Sequence, residues 1–168
     1  MKSRIDIMQV SPKAVQAVLG LQSYVNASGL EPSLLELVKM RASQINGCAF
    51  CLDMHSKDAR ATGETEQRLY LLNAWREAPF YSDRERAALE WTESLTLVSE
   101  NHVPDDVYER AREHFSETEL VDLALAVVAI NTWNRLSIGF RAVPGAYKPQ
   151  RAQAGTTRAA QHQQTTAH

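Results

Sequence analysis

No stretch of this chain stays apolar for long. The longest run, LALAVVAI at 123–130, falls far short of the ~20 apolar residues that a transmembrane helix requires. The opening MKSRIDIMQVSPKAVQAVLG is broken by charge and by Pro12 before any apolar segment develops, so it does not read as a signal peptide. A basic arm or polybasic run is missing too. The formal net charge of -2 gives no electrostatic reason to expect nucleic acid or an anionic membrane as a partner. Cysteine is scarce, with two residues in 168, both inside QINGCAFCLDMH at 44–55. A cytoplasmic location is the expectation, and there a lone close-spaced pair is more often catalytic or metal-binding than structural.

Strict apolar/polar alternation is equally absent, which argues against strands, and no repeat is evident. What is present is one helical signal after another. The 44% apolar and 23% charged fractions are those of a globular chain that can bury a core without staples. Ser11-Pro12 and Glu31-Pro32 each put proline where a helix can begin, and Leu34, Leu35, Val38 and Ile45 give the second segment a helical stripe. Asn46-Gly47 ends that helix, and the next is expected to start at Cys48 and stop at Thr62-Gly63. Residues 64–75 and 104–114 read as helices. Ser82–Glu85 and Ser116–Glu119 are capping boxes opening longer ones over 84–99 and about 120–138. The run at 123–130, apolar nearly all round, suggests a central buried helix. The expected fold is therefore an all-α bundle of about six to seven helices over 1–147. From 148 to 168 the composition turns to Gln, Ala, Thr and His, and this tail is expected to be disordered.

On a helix at ~100° per residue, Cys48, Cys51 and His55 fall at about 0°, 300° and 340°, on one face. Cys48 lies at the helix start, where free N–H groups and the helix dipole favour a thiolate, the reactive form of cysteine. The C-x-x-C spacing also lets the two thiols close a disulfide. His55 sits one turn beyond Cys51, within reach for proton exchange. If the chain doubles back at Asn46-Gly47, Glu36 stands ~15 Å of helix before the turn and His55 ~12 Å after it, so the two can lie level. A buried carboxylate is tolerable beside an imidazole. These residues suggest a relay from Glu36 through His55 to Cys51, with Cys48 as disulfide partner.

Glu36, eleven intervening residues, Cys48-Ala49-Phe50-Cys51 and His55 together resemble the core motif of the alkylhydroperoxidase D group within the carboxymuconolactone decarboxylase superfamily. The flanks LLELVKMRASQINGCAFCLDMHSKDARATGE, and later EQRLYLLNAWREAP, RERAALEWTE and INTWNRL, are similar to short single-domain, peroxidase-related members. The resemblance spans roughly residues 1–145. It implies the alkylhydroperoxidase D-like helical fold and thiol peroxidase or disulfide reductase chemistry, with no cofactor and no metal. It implies antioxidant defence and an obligate homo-oligomer, commonly a trimer or hexamer. By the family pattern Cys51 attacks the peroxide and becomes a sulfenic acid, and Cys48 condenses with it and faces an unidentified thiol reductant, a protein or a small dithiol. The dipole argument alone favours Cys48 as the more acidic thiol; the resemblance and the nearness of His55 favour Cys51. One position departs from the pattern: Phe50 stands where the best-known peroxidase members carry a second histidine.

Other readings of the same residues stay open. Cys48, Cys51, His55 and Glu36 make four possible zinc ligands, though three within two turns of one helix fit a tetrahedral metal awkwardly. A redox sensor or adaptor would use the disulfide without steady turnover. The true lactone decarboxylases, by the same resemblance, lack this cysteine pair, which argues against their chemistry. Asn131, Trp133, Asn134 and Arg135 line a pocket or a subunit contact, or simply cap and pack. Trp75 and Trp91 read as core or interface anchors, and His102 and His114 as surface residues.

Overall fold

A computed structural model describes residues 2–149. The tail expected from 148 onward lies, apart from Lys148 and Pro149, outside the described residues. Among those described the fold is all-helical: α1 (Ile7–Val10), α2 (Pro12–Asn26), α3 (Pro32–Asn46), α4 (Ala49–Ala61), α5 (Glu66–Leu71), α6 (Asp83–Thr96), α7 (Val98–Asn101), α8 (Asp105–His114) and α9 (Glu117–Phe140). Two single turns, α1 and α7, account for the helices beyond the seven that the sequence suggests.

The expected helix at 64–75 divides. Its first part starts later, with the Thr65 hydroxyl capping α5, and the chain then tightens into a 3-10 turn at Leu72–Ala74. That turn delivers Trp75 into a core cluster with Leu37, Leu72 and Leu89. Arg86 then ties down the loop beyond it, donating to the carbonyls of Trp75 (3.1 Å) and Arg76 (3.3 Å) in place of a helical ladder. Both expected capping boxes are formed, and they start α6 and α9.

The hub of the bundle is α3, which packs against α4, α6 and α9. It buries residues on every side, Leu34, Leu35, Leu37, Val38, Met40 and Ala42 among them. Truncating a fully enclosed one such as Leu37 to alanine should destabilise by roughly 2–5 kcal/mol. Helix α9, expected to be central, is only half enclosed. Its inner face packs on α2, α3 and α6, while Val121, Val128 and Ile138 stand 59%, 49% and 47% exposed. An all-round apolar composition therefore serves two surfaces here, one turned inward and one uncovered. By length and composition α9 could cross a membrane. It also carries buried Asp122, Asn131 and Asn134, all three hydrogen-bonded within the bundle, as a core helix would.

Candidate active site

The site is built by the turn between α3 and α4. Gly47 adopts the left-handed conformation (φ 66°, ψ 33°). The Cys48 N–H reaches back 3.0 Å to the Ser43 carbonyl, closing the motif that commonly terminates helices. The turn is braced from α9: Asn46 donates to the side-chain oxygens of Asn131 (3.0 Å) and Asn134 (2.8 Å), and Asn134 donates to Ser43 (3.0 Å). Arg135 in turn donates to Asn131 at 2.9 Å. Of the four residues singled out after the buried run, only Trp133 lines the cavity beside the site.

Helix α4 begins one residue later than the sequence suggests. Cys48 is its N-cap, not part of its first turn, and the Cys48 sulfur accepts the Cys51 N–H at 3.4 Å. An N-cap acceptor satisfies one of the unpaired N–H groups at a helix start and feels the positive end of the dipole. Cys48 and Cys51 are joined as a disulfide. Both are about 1% exposed and pack with Ala42 and Ile130, with Phe50 against them.

Glu36 does lie level with His55. His55 Nδ1 is 3.0 Å from Glu36 Oε2, and the other carboxylate oxygen accepts from Lys39 Nζ at 2.8 Å. All three side chains are largely buried. Burial alone would push the Glu36 carboxyl up, but hydrogen bonds and charge from His55, with the Lys39 ammonium, outweigh it and hold the group below its usual 4.5. An ionised Glu36 keeps the imidazole proton on Nδ1 and leaves Nε2 free to accept one.

Three participants were not singled out in the sequence. Lys39 is buried one turn after Glu36 on α3. Asp58 follows His55 by three residues, and its carboxylate lies within 4.8 Å of the donor atoms of both Glu36 and His55. Tyr147 reaches in from the segment after α9 and donates to Asp58 Oδ1 at 2.7 Å. Burial, the Asp58 hydrogen bond and the charges of Asp58 and Glu36 push the Tyr147 phenol up to about 12. The i, i+3 spacing from Glu36 to Lys39 and from His55 to Asp58 was the available signal for the first two. Glu36, His55 and Asp58 could offer a cation one nitrogen and two carboxylates, though the Lys39 ammonium already occupies one oxygen of Glu36. In this state the two sulfurs are bonded to each other and do not stand as separate ligands beside Glu36 and His55.

Beside this cluster opens a cavity of about 530 Å³. Leu19, Leu35, Met54 and Trp133 form its apolar wall, and Glu36, Lys39, His55 and Asp58 its polar end. Sites of this size commonly hold molecules well beyond a few atoms.

Comparison with known proteins places this arrangement. The sequence model of the Carboxymuconolactone decarboxylase family matches residues 12–94. The uncharacterized protein YdfG of Bacillus subtilis (strain 168) is 47% identical over 138 residues, covering 82% of this chain and 94% of that protein. This chain belongs to the carboxymuconolactone decarboxylase family. Within it, the fold is that of the AhpD-like members. ATU0492 of Agrobacterium tumefaciens, a protein of unknown function ascribed to antioxidant defence as an AhpD, superposes with a TM-score of 0.84 at 47% identity, covering 87% of this chain and 100% of that one. The debrominase Bmp8 shares the fold alone, with a TM-score of 0.74 at 21% identity over 83% of this chain and 75% of its own.

Proposed function

We propose that this protein is a thiol-dependent hydroperoxidase and disulfide oxidoreductase, working through Cys51 and Cys48 with Glu36 and His55 as the proton relay. The observation that carries the reading is the Glu36–His55 hydrogen bond, held one helical turn from a closed C-x-x-C pair. The ascription of ATU0492 to antioxidant defence supports it.

In the reduced protein, His55 Nε2 takes the Cys51 proton, and Glu36 stabilises the imidazolium that results. The Cys51 thiolate attacks the terminal oxygen of R–O–O–H; the S–O bond forms as the O–O bond breaks. The RO⁻ leaving group takes the proton from His55 and departs as the alcohol. Cys48 then attacks the Cys51 sulfenic acid, the disulfide closes and water leaves. Two thiols from a reductant reopen it, passing two electrons and leaving as their own disulfide. The reductant attacks Cys48, the sulfur that faces it, and Cys51 leaves as the thiolate and takes its proton back from His55. The largely apolar cavity suits an organic hydroperoxide better than hydrogen peroxide.

The exposed apolar residues of α9, with Leu19 of α2 at the cavity edge, favour a homo-oligomer whose subunit contact lies beside the site. A trimer or hexamer is the expected form, in a reducing compartment such as the cytoplasm. Sedimentation at micromolar concentration tests the assembly.

The decisive experiment is consumption of cumene hydroperoxide with a dithiol reductant by the wild type, Cys48→Ser and Cys51→Ser, with sulfenic acid trapping. Cys51→Ser is expected to form no sulfenic acid; Cys48→Ser is expected to form one and stall. Trapping on Cys48 instead would reverse the roles. One turnover without recycling by any dithiol would favour a redox sensor.

A further inference from the structure

The cavity and the disulfide do not meet. His55 and Phe50 line the cavity, but neither cysteine does. Both cysteines are about 1% exposed, so the disulfide is almost wholly shielded from solvent in this state. Phe50 belongs to both regions. It is half-buried at the second residue of α4, it forms part of the cavity wall, and it packs against the cluster of Ala42, Cys48, Cys51 and Ile130.

We propose that Phe50 is a specificity-determining gate between the cavity and the Cys48–Cys51 disulfide, admitting molecules with an apolar or aromatic body and holding back small polar ones. The proposal rests on the redox reading of the cysteine pair. A molecule reaching the sulfurs must displace the ring from its packing. A polar molecule of a few atoms leaves those lost contacts unreplaced. An apolar body lying against Leu19, Leu35, Met54 and Trp133 restores buried area as the ring moves, so that opening and binding become one event. On this view the phenyl ring adds selectivity to the site.

The test compares two monothiols of similar chemistry and different bodies, benzyl mercaptan and 2-mercaptoethanol, on the oxidised protein. A thiolate attacks one sulfur to form a mixed disulfide, and the other sulfur leaves as thiolate and takes a proton. A second thiol then displaces the protein, so two RSH become RSSR and two cysteine thiols are freed. Rates of thiol release are measured for the wild type, Phe50→Ala and Phe50→Leu.

The wild type is expected to react faster with benzyl mercaptan. Phe50→Ala should raise the 2-mercaptoethanol rate by about tenfold or more, the scale set by burying part of a phenyl ring, and should collapse the preference for the aromatic thiol. Phe50→Leu should fall between. A variant that merely loosens the whole fold speeds both thiols equally, so the rate ratio separates gating from instability. An unchanged ratio across the three proteins overturns the gate alone. An oxidised wild type that still titrates two free thiols under denaturing conditions overturns both the gate and the redox pair beneath it.

Discussion

At its start α4 sets its N-cap Cys48 and its first-turn Cys51 against Ala42 and Ile130; one and two turns later the same helix presents His55 and Asp58 to a carboxylate, an ammonium and a phenol. The sulfur end is sealed and apolar, and its polar support comes from the backbone and the Asn46–Asn131–Asn134 brace behind the turn. The other end holds two charged hydrogen-bonded groups, Lys39–Glu36–His55 and Asp58–Tyr147, with the Asp58 carboxylate within 4.8 Å of the first. Redox and proton handling make opposite demands. A disulfide protected from adventitious thiols needs a dry surrounding. A relay that exchanges protons needs groups whose charge is stabilised by partners. Under the proposed function one helix meets both by changing neighbours along its length: α9 and the end of α3 at one end, the middle of α3 and the strap at 142–149 at the other.

The largest effect expected from breaking this division is at the proton end. Glu36→Gln keeps size and a hydrogen-bonding group but removes the charge that orients His55. Peroxide turnover should fall by roughly 10²-fold, as general acid–base contributions do, while the oxidised protein still titrates no free thiol. His55→Ala should do the same. Undiminished turnover in either variant, measured with saturating reductant, would refute the relay. The pH dependence carries a sign. Because the Glu36 carboxyl lies below its usual 4.5, the stability it contributes is fully present above 4.5 and is lost as pH falls through the lowered folded value. Lys39→Met removes one of the groups holding it down, so the acid unfolding midpoint should move to higher pH. A midpoint that stays put would take Lys39 out of the cluster.

A smaller effect is expected at the joint between the two ends. Gly47 sits at φ 66°, and a Cβ built there meets nothing within 4 Å, so Gly47→Ala tests backbone strain alone. Denaturant unfolding should show a loss of roughly 1–2 kcal/mol, and Gly47→Asn a smaller one. If alanine were neutral, the turn would owe its shape to the asparagine brace from α9, and Asn134→Ala would then be the more damaging change.

The unequal legibility of the two ends follows from how they are made. Helix starts and stops were readable wherever a local device sets them: proline at the start of α2 and α3, the capping boxes of α6 and α9, the Asn46-Gly47 stop. The level placement of Glu36 and His55 followed from counting residues about that stop. Cys48 was misplaced by one position because its N–H closes the turn, which leaves the residue outside the helix as its cap. Lys39 carries no local mark of burial; α4, α6 and α9 enclose its helix from different points in the chain. Tyr147 meets Asp58 across a separation of 89 residues, from a segment with no periodicity to read. The exposed face of α9 was hidden for the opposite reason, since composition alone cannot say which faces of an apolar helix the fold covers.

The smallest expected effect concerns that strap, and it asks whether the proton end is complete without it. Lys57 donates to the Tyr147 carbonyl at 3.2 Å, the Gly145 N–H donates to Asp53 at 2.9 Å, and the Tyr147 hydroxyl holds Asp58. Tyr147→Phe removes only the last of these, and one partly exposed hydrogen bond is worth about 0.5–1 kcal/mol. The phenol is pushed up to about 12 from 10, so its contribution is present below pH 10 and is lost as pH rises toward 12. Wild-type stability should therefore decline across that interval more steeply than that of Tyr147→Phe, which has no phenol there to ionise. Coincident alkaline unfolding curves would mean that the hydroxyl contributes nothing and that Asp58 is held by its own helix. Separated curves with unchanged turnover at neutral pH would confine the strap to stability. Separated curves with a shifted pH–rate profile would extend the relay from Glu36 and His55 out to Asp58 and Tyr147.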